Sequence, residues 1–272
     1  MRSPGVALVT ALALWSASAR AAGPTTRPSA PKPCGKLLYV PPDLEGNVLL
    51  YHSFSRGAAK PEVNRLGARV AGAHTGRCVP ALTGRGFARS TGKGGGLSFA
   101  GLDRPLTKPV TVSLWFRLEK PMADETGFHL ISLRANGYIS HFVRGKGQWC
   151  ALKRPTFVVQ LYRFPGISNV NGLLGSGRLA EAAWHHVAVA VSEGSRVRVF
   201  WNAKLRGEFS AKGRLFATAD AVRSIDVGTH WLSHPMTIDE VLILNRALTG
   251  ADIQAYTTAI RHLAEVSFPF AQ

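Results

Sequence analysis

Residues 110–118, VTVSLWFRL, carry Val110, Val112, Leu114, Phe116 and Leu118 at every second position, with Thr111, Ser113, Trp115 and Arg117 between them. Strand side chains alternate faces with period two, whereas a helix would scatter these apolar residues around its axis. The segment is therefore a strand with one apolar and one mixed face. The same rhythm recurs at 47–54, 96–101, 129–135, 138–144, 156–164, 185–192, 196–203, 204–211, 224–229 and 237–245, each run bounded by Gly, Pro, Asn or Ser. Short strands punctuated at close intervals pair antiparallel and stack into two sheets, so the fold class is an all-β sandwich. One segment breaks the rhythm: Ile253, Tyr256, Ile260 and Leu263 recur at helical spacing behind Thr249 and Asp252, which are placed to cap a helix over about 250–262.

The N-terminus has a different composition. Arg2 precedes the apolar run GVALVTALALW, and Ala19 and Ala21 form a small-residue cleavage site, so residues 1–21 read as a secretory signal peptide. Residues 22–35 read as a Pro-rich linker and 36–268 as the folded domain. No later run is long enough to span a bilayer. The expected location is secreted, periplasmic or at the cell surface.

The 272-residue chain has a formal charge of +17; losing Arg2 and Arg20 with the signal leaves +15. The basic residues are scattered and no nucleic-acid-binding motif accompanies them, so the charge serves either plain solubility or attraction to extracellular polyanions, and nucleic acid is not an expected partner. Cys34, Cys78 and Cys150 leave three pairings open, of which Cys34 with Cys78 would tie the linker end to the domain.

Chemistry-bearing residues are sparse. In TIDEVLIL strict alternation puts Asp239 with Val241 and Ile243, and Glu240 with Leu242 and Leu244, so the two carboxylates point apart and cannot flank one glycosidic bond. Glu240 is then solvated or paired with an Arg. His185 and His186 lie on opposite faces of one strand and cannot chelate one ion. The stretch GFARSTGKGGG departs from the spacing of a phosphate loop and reads as a turn between strands.

Trp184, His185, His186 and Val187, then Ile238, Asp239, Glu240 and Val241, then Asn245, Arg246, Ala247 and Leu248 resemble the laminin-G-like, concanavalin A-like jelly roll of secreted bacterial proteins. The resemblance covers roughly residues 46–260. It implies a two-sheet jelly roll with a short C-terminal helix, and structural roles for Trp184, His186, Asp239 and Arg246. Relatives carry Asn-Gly or Asp-Gly where this chain has Asn202-Ala203; Ala resists the positive φ of a tight turn, so a longer turn or another type is expected. Many relatives also carry an acid where this chain has Ser55, one that helps bind a structural calcium. Here no cofactor is expected, and Asp239 is the residue that would ligate calcium if such a site survived.

Glucanases of the same architecture resemble one another in a strand motif with carboxylates two residues apart, which this chain lacks. The implied function is a non-catalytic module binding a polysaccharide or an anionic glycoconjugate, with Trp115, Arg117, Tyr138, His141, Arg144, Trp149 and Trp231 as exposed-face ligand candidates. A structural or adhesive protein that binds another cell-surface protein is the alternative, and a divergent glycan hydrolase or lyase ranks third.

Overall fold

The computed structural model describes residues 40–54, 60–71, 77–89, 97–120, 127–134, 138–144, 156–162, 170–174, 182–210, 222–228 and 235–267. In chain order the elements are α1 (Pro42–Glu45), β1 (Val48–His52), β2 (Val63–Asn64), β3 (Arg69–Ala71), β4 (Arg77–Ala81), β5 (Gly84–Arg89), β6 (Leu97–Ala100), β7 (Val110–Leu118), β8 (Gly127–Arg134), β9 (Tyr138–Arg144), β10 (Thr156–Tyr162), β11 (Val170–Leu174), β12 (Trp184–Val191), β13 (Arg196–Trp201), β14 (Lys204–Ser210), β15 (Ser224–Val227), β16 (Met236–Leu244) and α2 (Gly250–Ser267). Every pairing is antiparallel. The first sheet runs β14-β13-β12-β7-β16-β1-β2 with β5 and β4 added on β16, and the second runs β11-β10-β9-β8-β15-β6-β3. The two-sheet jelly roll with its C-terminal helix is the expected fold.

The apolar face of β7 points between the sheets. Val110, Val112, Leu114, Phe116 and Leu118 join Leu97, Phe99, Ile131, Leu133, Ile225 and Val227 in the main core. The mixed face of β7 is buried too. Thr111, Ser113 and Trp115 lie beneath α2, whose Ile253, Tyr256, Ile260 and Ala264 build a second core on the outer face of the first sheet. Burial there is affordable because the polar groups are satisfied: the Thr111 hydroxyl donates to the Arg246 carbonyl at 2.6 Å and accepts from the Leu248 amide at 2.9 Å. A reciprocal cap starts α2, with the Asp252 amide donating to Thr249 Oγ1 at 3.2 Å and the Thr249 amide to Asp252 Oδ2 at 2.8 Å.

Two expectations are corrected here. Asn202 and Ala203 do form a tight two-residue turn, both at positive φ (47° and 64°). The turn is held from outside, since the Asn202 side-chain oxygen accepts from the His186 amide at 2.8 Å and the Asn202 amide donates to the His186 carbonyl at 2.9 Å. Residues 86–89 of the Gly-rich stretch are strand, not turn, because β16 offers them a partner: Phe87 pairs with Ile238 and Arg89 with Met236.

Candidate functional site

β16 has one continuous neighbour, β7, and two successive ones on its other side. Met236–Ile238 pair with β5, and Val241–Leu244 pair with β1. At the seam between these partners the strand bulges: its register on β7 jumps from Asp239↔Trp115 to Leu242↔Ser113, and Glu240 takes φ 52°. The bulge cancels the alternation expected from the sequence. Val241 and Ile243 still enter the main core, but Asp239 and Glu240 turn to the same side, both fully buried. Glu240 is therefore neither solvated nor paired with an Arg.

Thr83, in the turn between β4 and β5, closes the seam. Its amide donates to Asp239 Oδ2 at 3.1 Å, and its hydroxyl contacts Asp239 Oδ2 at 3.3 Å and Glu240 Oε1 more closely. The Tyr51 hydroxyl donates to Glu240 Oε2 at 2.6 Å and the Glu240 amide to Asp239 Oδ1 at 2.9 Å. Burial, with the Glu240 charge beside it, pushes Asp239 well above the usual carboxylate range against its hydrogen bonds. Burial raises Glu240 to about 7, aided by the Glu62 charge and opposed by the Thr83 and Tyr51 hydrogen bonds. The pair thus holds a proton at neutral pH.

This donor set does not fit calcium. The ion takes six to eight oxygens, yet all four oxygens of this pair already meet protein hydrogen-bond donors. Among the described residues no three His, Cys, Asp or Glu side chains group as metal ligands do, and Ser55 lies outside them. The pair locks a seam.

Next to it, His186 Nε2 lies 2.8 Å from Ser113 Oγ and Nδ1 3.4 Å from Thr257 Oγ1. Thr257 gives its own proton to the Ile253 carbonyl, so Nδ1 carries the imidazole proton and Nε2 accepts from Ser113. Burial, with Arg261 nearby, lowers His186 to about 3. His185 faces the other way, against Phe116 and Trp201. Arg246 spans Asp43 and Asp252 at 3.8 and 3.5 Å, linking α1 to the start of α2.

The outer face of the second sheet differs in chemistry. Leu97, Phe99, Ile131, Leu133, Ile225 and Val227 face the core, so the residues alternating with them face outward. Backbone register aligns Ala71, Ser98, Asp226, Ser132, Ser140, Gln160 and Asn171 in one row across all seven strands. The adjacent row is Arg69, Ala100, Ser224, Arg134, Tyr138 and Tyr162. Asp226 sits in the middle, its Oδ1 accepting from the Ser98 hydroxyl at 2.6 Å and its Oδ2 from Arg134 Nε. Among the described side chains, the two rows present serine hydroxyls, a fixed carboxylate and the Arg69 and Arg134 guanidinium forks, group types that hold hydroxyl-rich ligands.

Of the sequence candidates, the two whose side chains are described, Trp115 and Arg117, lie on the other sheet. Trp115 is buried under α2 with Arg261 over its ring at 5.8 Å, which corrects its reading as an exposed ligand residue: the helix covers the mixed face of β7. Arg117 lies on the first sheet, its guanidinium 5.1 Å over the half-buried Trp184 ring and bonded to Glu119 at 3.1 Å. In backbone register position 141 pairs with Ile131, one residue from the row of Ser132 and Asp226. Tyr138 falls in the outer row, and Arg144 shares its strand parity. Trp149, Trp231 and Cys34 lie outside the described residues, and the proposed Cys34–Cys78 bond with them. Ser98, Ser132, Arg134 and Asp226 escaped the sequence reading; the polar positions of LSFA, ISLR and SIDV are visible there, but the register aligning them is not.

The family described as the concanavalin A-like lectin/glucanases superfamily, Laminin_G_3, matches residues 91–254. No curated relative matches the chain. Among solved structures, a chain from work on botulinum neurotoxin type C and its dependence on two ganglioside molecules for cell entry superposes with a TM-score of 0.63 at 15% identity. The match covers 80% of this chain and 52% of that one, so this chain spans about half the toxin chain's length. The binding domain of botulinum neurotoxin DC, solved with rat synaptotagmin II, matches at 0.63 and 14% identity, again over 80% and 52%. Domain 4 of AbnA, a GH43 extracellular arabinanase from Geobacillus stearothermophilus solved with arabinotriose, matches at 0.57 and 20% identity over 78% of this chain and 98% of that one. These likenesses show the fold.

Proposed function

Because this chain belongs to the concanavalin A-like lectin/glucanase superfamily, we propose that it is an exported, non-catalytic binding module whose ligand is a glycan lying on the outer face of the second sheet. The outer rows around Asp226 carry this reading, since exposed Arg69 and Arg134 and half-buried Ser98 and Ser224 come from strands far apart in sequence and lie on one face, with Ser132 and Asp226 buried among them. Binding is favoured over cleavage by the carboxylates. Glycoside hydrolysis needs two of them facing one bond, and Asp226 is the sole acid in these two rows, with both oxygens engaged. Asp239 and Glu240 are sealed from any substrate. The arabinotriose complex of the AbnA domain supports a glycan ligand by analogy of fold, and the apolar run at residues 5–15 supports export.

The test is a glycan array probed with the chain lacking residues 1–21, followed by Arg69→Ala and Arg134→Ala, two exposed residues of the outer rows. Retention of defined glycans, lost in both variants while melting temperature holds, is the expected result. A silent array at low salt, with one protein partner recovered by cross-linking on intact cells, would replace the reading with protein adhesion. Product release from a polysaccharide panel would replace it with catalysis.

A further inference from the structure

The row beside Asp226 has a particular layout. Arg69 on β3 and Arg134 on β8 are both exposed, and between them lie only Ala100 and Ser224, half-buried and short. Three strand spacings separate the two arginines, about 14 Å. The result is a shallow trough with a guanidinium at each side and a floor of small side chains. Arg134 is fixed through Nε by Asp226, which leaves its two terminal nitrogens pointing away from that bond, and among the described residues no hydrogen bond or ion pair ties down Arg69. The single acid of the two rows is already neutralised by Arg134.

From this layout, and resting on the glycan reading above, we infer that the second sheet selects an acidic glycan, one carrying carboxylate or sulfate groups, that lies across the strands with anionic groups at Arg69 and Arg134. Planar guanidinium forks match carboxylate and sulfate geometry, and an uncharged sugar would leave both unused. Asp226 has two effects. It orients Arg134, and it competes with a ligand anion for that same guanidinium.

A protein of this net charge attracts any polyanion weakly, so the experiment must separate a site from a diffuse field. Calorimetric Kd values are measured for polygalacturonate, dextran sulfate, uncharged dextran and a DNA oligonucleotide of matched charge, at low and at physiological salt. Arg69→Ala and Arg134→Ala are each expected to weaken polygalacturonate or dextran sulfate at least tenfold. Arg196→Ala and Arg261→Ala, which remove the same charge from the first sheet and from α2, are expected to stay within twofold. Arg134→Lys keeps the charge without the fork and should fall between. Asp226→Asn should tighten the acidic ligand by freeing Arg134.

If all four alanine variants weaken binding equally, attraction is diffuse and the inference is wrong. Equal binding of the oligonucleotide, lost in the same variants, overturns it in favour of general polyanion capture. If uncharged dextran or other neutral glycans bind and the acidic ones do not, the glycan reading stands and the acidic selectivity is lost. Absence of binding to every glycan removes both.

Discussion

At the residue scale, Asp239 is a clamp on the seam of the first sheet. Its carboxylate is the acceptor for the buried Thr83 and Glu240 amides, so Asp239→Ala strands both donors and is expected to cost about 1–3 kcal/mol in denaturant unfolding. Because its oxygens already meet protein donors, chelator and added calcium should leave the melting temperature of the natural chain unchanged; a drop of several degrees in chelator that calcium reverses would make Asp239 a ligand instead. Ala203 is a second residue under constraint. At φ 64° its Cβ is strained, and Ala203→Gly is expected to stabilise by about 0.5–1 kcal/mol, the relief of a left-handed residue exceeding the entropy glycine adds to the unfolded chain. An unchanged unfolding midpoint would show that the turn holds Ala without cost.

At the element scale, β7 is the strand on which both cores depend. One face fills the space between the sheets and the other receives α2. Trp115 is the largest side chain buried beneath the helix, so Trp115→Ala is expected to destabilise by about 3–5 kcal/mol through the cavity it leaves. Whatever glycan the folded fraction binds should be bound with unchanged affinity, because Trp115 and the polar row lie on opposite sides of the sandwich. Lost affinity with unchanged stability would return Trp115 to the ligand site. The alternation that identifies β7 as a strand was legible in its residues. Its covering was not, since nothing within VTVSLWFRL records that residues 250–267 will dock on Thr111, Ser113 and Trp115.

At the scale of the whole molecule, buried His186 and the buried Asp239–Glu240 pair give stability opposite slopes with pH. Burial lowers His186 from 6.5 to about 3, so its contribution is complete above pH 6.5 and declines as pH falls toward 3, where the unfolded chain takes up a proton the folded one refuses. Glu240 is raised from 4.5 to about 7; its contribution is complete below pH 4.5 and is lost as pH rises through 7, where the folded chain keeps a proton the unfolded one has released. Replacing Glu240 with Gln removes its share of the second slope and leaves that of Asp239. Unfolding free energy measured from pH 5 to 8 should fall less steeply in Glu240→Gln than in the natural chain, and identical slopes would mean that Glu240 does not titrate in this range.

The residues by themselves determined the strands, the helix and the family to which the chain belongs, because period-two alternation, the Thr249–Asp252 spacing and the Ile238–Val241 motif are local properties of the backbone and its nearest side chains. Tertiary structure alone decided where the chemistry lies. Asp239 and Glu240 share a side because β16 changes partner from β5 to β1 between Ile238 and Val241. Ser98, Ser132 and Asp226 share a row because three strands distant in sequence pair in one register. A pairing partner and its register are contacts between segments far apart in the chain, and no local pattern encodes either.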